Sequence, residues 1–149
     1  RSLREYLTLI RYQKQYLRYA TDRILLMSDD STTHALIDST LLSASAIIPE
    51  VKTISAGFYY KTGQFQKALD QHEKMGVNNP GDSKRWLVFS ENLMKEKQYE
   101  LSIRAYHYFL QNMTQNNPSI LGKTLLGLGQ AYENQIIQNQ TELQFVKWY

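Results

Sequence analysis

A spacing of 34 residues recurs in the middle of this 149-residue chain and constrains its fold more than any other feature. Large, small and turn positions coincide at this spacing between residues 52–76 and 86–110: Tyr59 with Leu93, Gly63 with Lys97, Phe65 with Tyr99, Ala68 with Ser102, Leu69 with Ile103, His72 with Tyr106, and Met75 with Phe109. A fixed period of this length is typical of stacked helical repeats, because one helix pair cannot bury its own apolar faces. The period therefore predicts an all-α chain, built as a solenoid of antiparallel helix pairs.

A third and looser copy follows a longer connection. At a spacing of 39 residues the coinciding pairs are Trp86 with Leu125, Ser90 with Gly129, and Leu93 with Tyr132. The five additional residues fit the polar connection 112–117, and Pro118 suits the first turn of a helix. We expect this helix to end near residue 137, and a polar break then separates it from a last helix over 141–149.

The N-terminal part predicts two further helices outside the clear repeat. Apolar residues at steps of three, four and seven predict one long helix over residues 2–28. Asp29 and Asp30 offer a turn and a cap for a second helix over about 32–48, which Pro49 ends. About eight helices in four antiparallel pairs result. They form one domain, with an atypical pair over 1–48, repeats over 49–82 and 83–117, and a partial or atypical repeat over 118–149.

The repeated positions resemble the tetratricopeptide repeat family, whose consensus has large and small residues in a first helix, Gly-x-Tyr at the turn, and a Pro after the second helix. The resemblance is carried by Ala56, Tyr59, Gly63-Gln64-Phe65, Ala68, His72 and Pro80; by Trp86, Ser90, Leu93, Tyr99, Ser102, Tyr106 and Phe109; and by Leu128-Gly129-Gln130-Ala131-Tyr132. The third copy lacks the Gly-x-Tyr turn. The resemblance implies a right-handed superhelix with a concave face lined by the first helix of each pair.

Small residues recur where paired helices should cross, namely at Ala56, Ala68, Ser90, Ser102 and Gly129. Such residues let two helix axes approach to about 8–10 Å. The resemblance places a partner-binding groove on the concave face. Its expected residues are Tyr60, Lys61, Lys84, Leu87, Glu91, Lys95, Lys123, Gln130, Glu133 and Asn134.

A groove of mixed polar and apolar residues can seat an extended peptide or a partner helix. We therefore expect a protein-interaction scaffold or adaptor within a larger assembly. The alternatives are a secretion or biogenesis chaperone, and a peptide- or nucleic-acid-responsive regulator. Some tetratricopeptide proteins clamp a C-terminal carboxylate with Lys and Asn, but here Glu91 stands at one of the corresponding positions, which argues against that clamp.

The basic residues concentrate at the N-terminus. Residues 1–28 hold six basic and two acidic residues, a net charge of +4, whereas the remainder holds 11 basic and 12 acidic residues, a net charge of −1. Arg4, Arg11 and Arg18 are seven apart, with Lys14 beside them, and predict a basic helix face. Such a face interleaved with Tyr could contact nucleic acid or an anionic membrane surface. The alternative is a solvated face next to an acidic partner or an upstream repeat.

The C-terminus ends in an apolar patch of Phe145, Val146, Trp148 and Tyr149. This patch either covers the last helix pair or forms an edge through which two copies associate. The chain has no run of about 18 apolar residues, so no membrane span is predicted. We expect a soluble protein, with the cytoplasm favoured over the periplasm.

Residues that could carry chemistry do not converge in the sequence. Cysteine is absent, and the three histidines show no metal-ligand spacing. The acidic pair at residues 29–30 fits a helix cap better than a metal site. The glycines at 122, 127 and 129 form no phosphate loop and suit close packing instead. The sequence thus predicts no catalytic residue, metal or cofactor, and no enzyme.

Overall fold

A computed structural model describes residues 3–114 and 117–148, with side chains up to residue 144. Within these residues the regular structure is entirely helical and no strand occurs, so the all-α fold class is confirmed. The α-helices are α1 (Leu3–Tyr12), α2 (Leu17–Met27), α3 (His34–Ser45), α4 (Val51–Lys61), α5 (Phe65–Met75), α6 (Pro80–Lys95), α7 (Tyr99–Asn112) and α8 (Pro118–Trp148). Short 3-10 helices cover Lys14–Tyr16 and Ser31–Thr33.

The chain forms two compact units, Arg1–Met75 and Gly76–Tyr149. In the first unit α1 packs against α2 and α3, and α4 packs against α2, α3 and α5. In the second unit α6, α7 and α8 pack against one another. Each unit buries its own apolar core, which includes Ile24, Ile37, Leu41, Ile54, Phe58 and Leu69 in the first and Trp86, Leu93, Ala105, Phe109 and Ala131 in the second.

The turn between α4 and α5 has the same backbone as the turn between α6 and α7. The first turn is closed by N–H···O bonds from Thr62 to Phe58 (3.0 Å), from Gly63 to Tyr60 (3.1 Å) and from Gln64 to Tyr59 (2.7 Å). The second turn has each bond 34 residues later: Glu96 to Asn92 (3.0 Å), Lys97 to Met94 (3.0 Å) and Gln98 to Leu93 (2.9 Å). Gly63 (φ 77°) and Lys97 (φ 59°) both adopt the left-handed conformation that ends such helices. The 34-residue period is therefore present in the backbone itself.

Four of the five small residues predicted at helix crossings are buried. Ala56, Ala68, Ser90 and Ser102 are at most 3% exposed, and the Ser102 hydroxyl donates to the Ser90 carbonyl oxygen over 2.8 Å, joining α7 to α6. The prediction is wrong for Gly129, since a side chain added there would meet no atom within 4 Å. Gly127 takes the packing role two residues earlier, so the close-packing interpretation of the α8 glycines holds at that position.

The predicted helix over residues 2–28 is wrong, because two helices and a 3-10 turn occupy this segment. Gln13 (φ −139°, ψ 84°) leaves the helical region after α1. Buried apolar residues are absent between Ile10 and Ala20, so no core contact holds a continuous helix across this stretch. The break lets α1 and α2 pack against each other.

The predicted last helix pair is also wrong, because α8 is one helix of 31 residues. Residues 138–140 are polar, but Gln and Asn are compatible with a helix and no Gly or Pro interrupts it there. The 39-residue spacing also assigned the wrong face of α8. Its buried residues are Thr124, Gly127, Leu128 and Ala131, whereas Leu125 and Tyr132 are 49% and 43% exposed. They follow the same steps as Trp86, Phe89, Ser90 and Leu93 of α6, at a spacing of 38.

The predicted cap at residues 29–30 is confirmed. Asp30 Oδ1 accepts hydrogen bonds from the Thr32 backbone N–H (3.0 Å) and from the Thr32 hydroxyl (2.7 Å), at the start of the Ser31–Thr33 turn. The hydroxyl bond and then the backbone bond lower the pKa of Asp30. Asp29 has a different partner, since its Oδ1 lies 2.7 Å from Lys61 Nζ.

We predict opposite effects of exchanging glycine and a side chain at the two left-handed positions. Gly63→Ala should lower the free energy of unfolding by about 1–2 kcal/mol, because a Cβ disfavours this conformation. Lys97→Gly should leave it unchanged or raise it by up to about 1 kcal/mol. Urea unfolding followed by circular dichroism measures both. Gly122→Ala is the control, because this glycine is helical and has no atom near its added Cβ. Equal effects of Gly63→Ala and Gly122→Ala would contradict the argument.

A second prediction concerns alkaline pH. The Tyr59 hydroxyl of α4 donates to Asp38 of α3, and burial, followed by this bond and the charge of Asp38, raises the pKa of Tyr59 to about 12. In the unfolded chain this phenol ionises near pH 10, at about its reference value. The stability it contributes is therefore complete below that pH and falls as the pH rises towards the folded pKa.

Tyr59→Phe should remove this component of the alkaline loss. The measurement is urea unfolding of both proteins at pH values from about 8 to about 11.5. The free energy of unfolding should fall more steeply with pH in the parent chain than in the variant. Parallel curves above about pH 10 would show that Tyr59 ionises at its ordinary pKa.

Candidate functional site: a groove between two helices

A groove in the second unit lies between α6 and α8 and has a volume of about 500 Å³. Its lining residues are Leu87, Glu91, Met94 and Lys95 of α6, Tyr106 of α7, and Lys123, Leu126, Gly127, Gln130 and Asn134 of α8. Steps of three, four and seven residues put the lining residues of α6 and of α8 on one face of each helix. The groove thus has one face of each helix as a wall and α7 beneath it.

Tyr106 and Gly127 form the floor of the groove. Tyr106 is 4% exposed, and a Cβ built on Gly127 would lie 2.7 Å from its Cε1 atom, a distance at which something must shift. Glycine at this position therefore lets the Tyr106 ring lie directly against the α8 backbone. Burial, and to a lesser extent the charge of Glu91, raises the pKa of Tyr106, so its hydroxyl stays neutral at physiological pH.

Charged and amide groups surround an apolar strip in this groove. Lys95 Nζ lies 4.0 Å from Glu91 Oε1 in an exposed pair, a geometry that contributes little to stability. Lys123 forms no ion pair within the described residues. The amides of Gln130 and Asn134 each carry donors and an acceptor. The apolar strip consists of Leu87, Met94 and Leu126.

Six of the ten groove residues predicted from the sequence come together here. They are Leu87, Glu91, Lys95, Lys123, Gln130 and Asn134. Lys84 and Glu133 are exposed on α6 and α8 but do not line the groove. Tyr60 and Lys61 belong to the first unit. Tyr60 packs edge-on against Phe65, with ring centroids 5.3 Å apart, and the ammonium group of Lys61 is held by Asp29.

Four lining residues were not predicted from the sequence. Leu126 could have been found, because it lies three residues after Lys123 and four before Gln130, on the same helix face. Met94 likewise lies three residues after Glu91. Tyr106 and Gly127 carried no such signal, since their role depends on how α7 packs against α8.

The predicted basic face does not form one stripe, because the helix breaks after Tyr12. Arg4 and Arg11 stay together on α1 and line a second groove in the first unit, between α1 and α3, with a volume of about 530 Å³. Lys14 forms an ion pair of 2.8 Å with Glu50, and its hydrogen bond lowers the pKa of that carboxyl group. Arg18 is exposed on α2.

Two of the three histidines make aromatic and hydrogen-bonding contacts at helix contacts. His34 Nε2 lies 2.7 Å from the Ser28 carbonyl oxygen, and its ring packs edge-on against Phe58. His107 Nε2 lies 2.9 Å from the Tyr132 hydroxyl, linking α7 to α8. His72 is half-buried.

Three further expectations meet the structure only in part. Among the described residues, no three His, Asp or Glu side chains gather where they could hold a metal ion. No helix in that same part of the chain is long and apolar enough to cross a membrane. The predicted C-terminal patch of Phe145, Val146, Trp148 and Tyr149 lies outside the described side chains.

The floor of the groove generates a prediction about stability. Gly127→Ala should lower the free energy of unfolding by about 1–3 kcal/mol, because the added methyl group overlaps the buried Tyr106 ring. Gly129→Ala is the matched control on the same helix, and it should leave stability unchanged or raise it by up to about 1 kcal/mol. Urea unfolding of both variants checks this. Equal stability of the two would mean that the ring moves aside without cost.

Comparisons with protein-family models, curated protein sequences and solved structures found no significant match to this chain. The resemblance to tetratricopeptide repeats rests on the residues of the chain itself and stays a prediction. A functional proposal has to be built from the geometry and chemistry of the grooves.

Proposed function

We propose that this protein is a binding module, a scaffold or adaptor, whose α6/α8 groove receives a peptide or helix of a partner protein. The observation that carries the proposal is the convergence of six exposed side chains, expected from the sequence to contact a partner, on one groove with a packed floor. We include in the proposal the tetratricopeptide-like solenoid of helix pairs that the sequence resemblance implies.

The apolar strip offers the binding energy. Leu126 is 64% exposed although it lies in a concave surface, so a partner side chain placed over it removes apolar area from water. Met94 and Leu87 extend the strip along α6. Methionine adapts to side chains of different shape, which suits a surface that accepts an anchor residue.

The polar groups around the strip offer orientation. The amides of Gln130 and Asn134 are one turn apart on α8 and can donate to and accept from the main chain of an extended segment. Lys123, without a carboxylate partner in the described part of the chain, is available for an acidic group. Apolar anchors with a few placed polar groups are the usual composition of such sites.

The packed floor supports binding by a preformed surface. Tyr106 is fixed by burial against Gly127, so little conformational entropy is lost when a partner covers it. A rigid surface of this kind fits an adaptor that holds a partner.

The chaperone and the regulator remain the alternatives. The regulator depends on a continuous basic helix face, and the break between α1 and α2 separates Arg18 from Arg4 and Arg11. That separation favours the protein-binding module over a nucleic-acid contact through the N-terminal helix.

The test compares neighbouring residues inside and outside the groove. Proteins captured from the native source by the whole chain are purified, and the affinity of each is measured by titration calorimetry. Leu126→Asp should weaken the cognate complex by at least about tenfold, because a carboxylate replaces the apolar anchor site. Lys123→Glu should weaken a complex with an acidic anchor to a similar degree.

Matched controls make the result specific to the groove. Leu125→Asp changes the preceding residue, which is 49% exposed but does not line the groove. Lys84→Glu makes the same charge change on α6 outside it. Both controls should alter affinity by less than about twofold. If the groove and control variants bind every captured protein equally well, the α6/α8 groove is not the binding site.

A further inference from the structure

The α1/α3 groove of the first unit combines an apolar trough with two arginines on one wall. Its apolar residues include Leu7 of α1 and Leu36 of α3, with Ile47 just beyond the end of α3. Leu36 and Ile47 are 64% and 66% exposed, so no described residue of the chain covers them. Large apolar side chains left open in a concave surface mark an interaction site.

The charge of this groove is one-sided. Arg4 and Arg11 line it, and no acidic residue does. Neither arginine forms an ion pair within the described residues, whereas the nearby Lys14 is paired with Glu50. Guanidinium groups bind carboxylates in a bidentate geometry, so the missing complement is an acidic group on the partner.

The spacing of the arginines determines where those acidic groups should lie. Arg4 and Arg11 are seven residues apart on one helix, which places them about 10 Å apart along its axis. A partner helix that lies along the groove meets both arginines if it carries two acidic residues seven positions apart. Apolar residues three or four positions between them would then face Leu36 and Ile47.

We propose that the α1/α3 groove is a second docking site, which binds an acidic amphipathic helix of a partner protein. This site is independent of the α6/α8 groove. A flat membrane surface would contact the rim and leave the trough unfilled. An RNA backbone would place phosphates along a surface that has only two cations and is otherwise apolar or hydroxyl-bearing.

The experiment selects the ligand without assuming its identity. A displayed library of 14-residue amphipathic peptides, with acidic, basic and neutral residues randomised on the polar face, is panned against the whole chain. Enriched peptides should carry acidic residues seven apart with apolar residues between them. Their affinity, measured by fluorescence anisotropy, should fall as salt rises, because the contacts with Arg4 and Arg11 are exposed.

Two pairs of variants locate the binding. The double variant Arg4→Glu/Arg11→Glu should weaken the enriched peptides by at least about tenfold, whereas Arg18→Glu/Lys84→Glu, with the same charge change outside the groove, should alter affinity by less than about twofold. Leu36→Asp should also weaken binding by at least about tenfold. Its control is Leu42→Asp, because Leu42 lies on the same helix and is also 64% exposed but does not line the groove.

Several outcomes would overturn the proposal. They are the absence of any enriched peptide, enrichment of peptides without the acidic pair, and binding that survives the Arg4→Glu/Arg11→Glu change. Arginine-dependent binding of single-stranded RNA, or of phosphatidylserine vesicles, with no peptide binding would assign the groove to those ligands instead. Leu126→Asp should leave peptide binding intact, so failure at one groove is distinguishable from failure at the other.

Discussion

The close pairing of α4 with α5 and of α6 with α7 depends on a backbone turn that only a left-handed residue can close. At Gly63 and at Lys97 the chain leaves the first helix and returns beside it within three residues, with the same hydrogen bonds in both places. The second helix can then lie close because the residues at the contact are small. Ser102 reaches the Ser90 carbonyl oxygen only at such a short separation. The burial of Trp86 and Phe109 in the second unit follows from this pairing.

The α6/α8 groove follows from a second close contact of the same kind. Gly127 brings the α8 backbone against the Tyr106 ring, which fixes α7 beneath the two helices that form the walls. A larger residue at 127 would separate α8 from α7 and change the width of the groove. In the first unit the groove between α1 and α3 has a different origin, because it depends on the break after Tyr12 that lets α1 end where it does. Packing and groove shape are therefore consequences of the same few backbone positions.

The two grooves differ in chemistry, and this difference gives the proposed functions their content. The α6/α8 groove mixes one acidic and two basic groups with amides around an apolar strip, which suits a segment held partly by its main chain. The α1/α3 groove has two arginines and no acidic residue along an apolar trough, which suits an acidic helix. A module with two such grooves can hold two segments, from one partner or from two. Avidity between them would then depend on the partner and its linkers.

The sequence by itself determined the helical class, the 34-residue period, the turn at Gly63 with its counterpart at Lys97, and the cap at Asp30. These features are local, because propensity, periodicity and capping act within a few residues of the chain. Six of the lining residues of the α6/α8 groove were also predictable, since exposed positions on one helix face follow from periodicity. Only the tertiary structure decided that residues 2–28 form two helices, that α8 runs unbroken, and that Gly127 rather than Gly129 packs. The reason is that each depends on which neighbouring helix is available to bury a face. That choice is made between residues far apart in the sequence, where a shift of one position turns an apolar side chain from the core to the solvent.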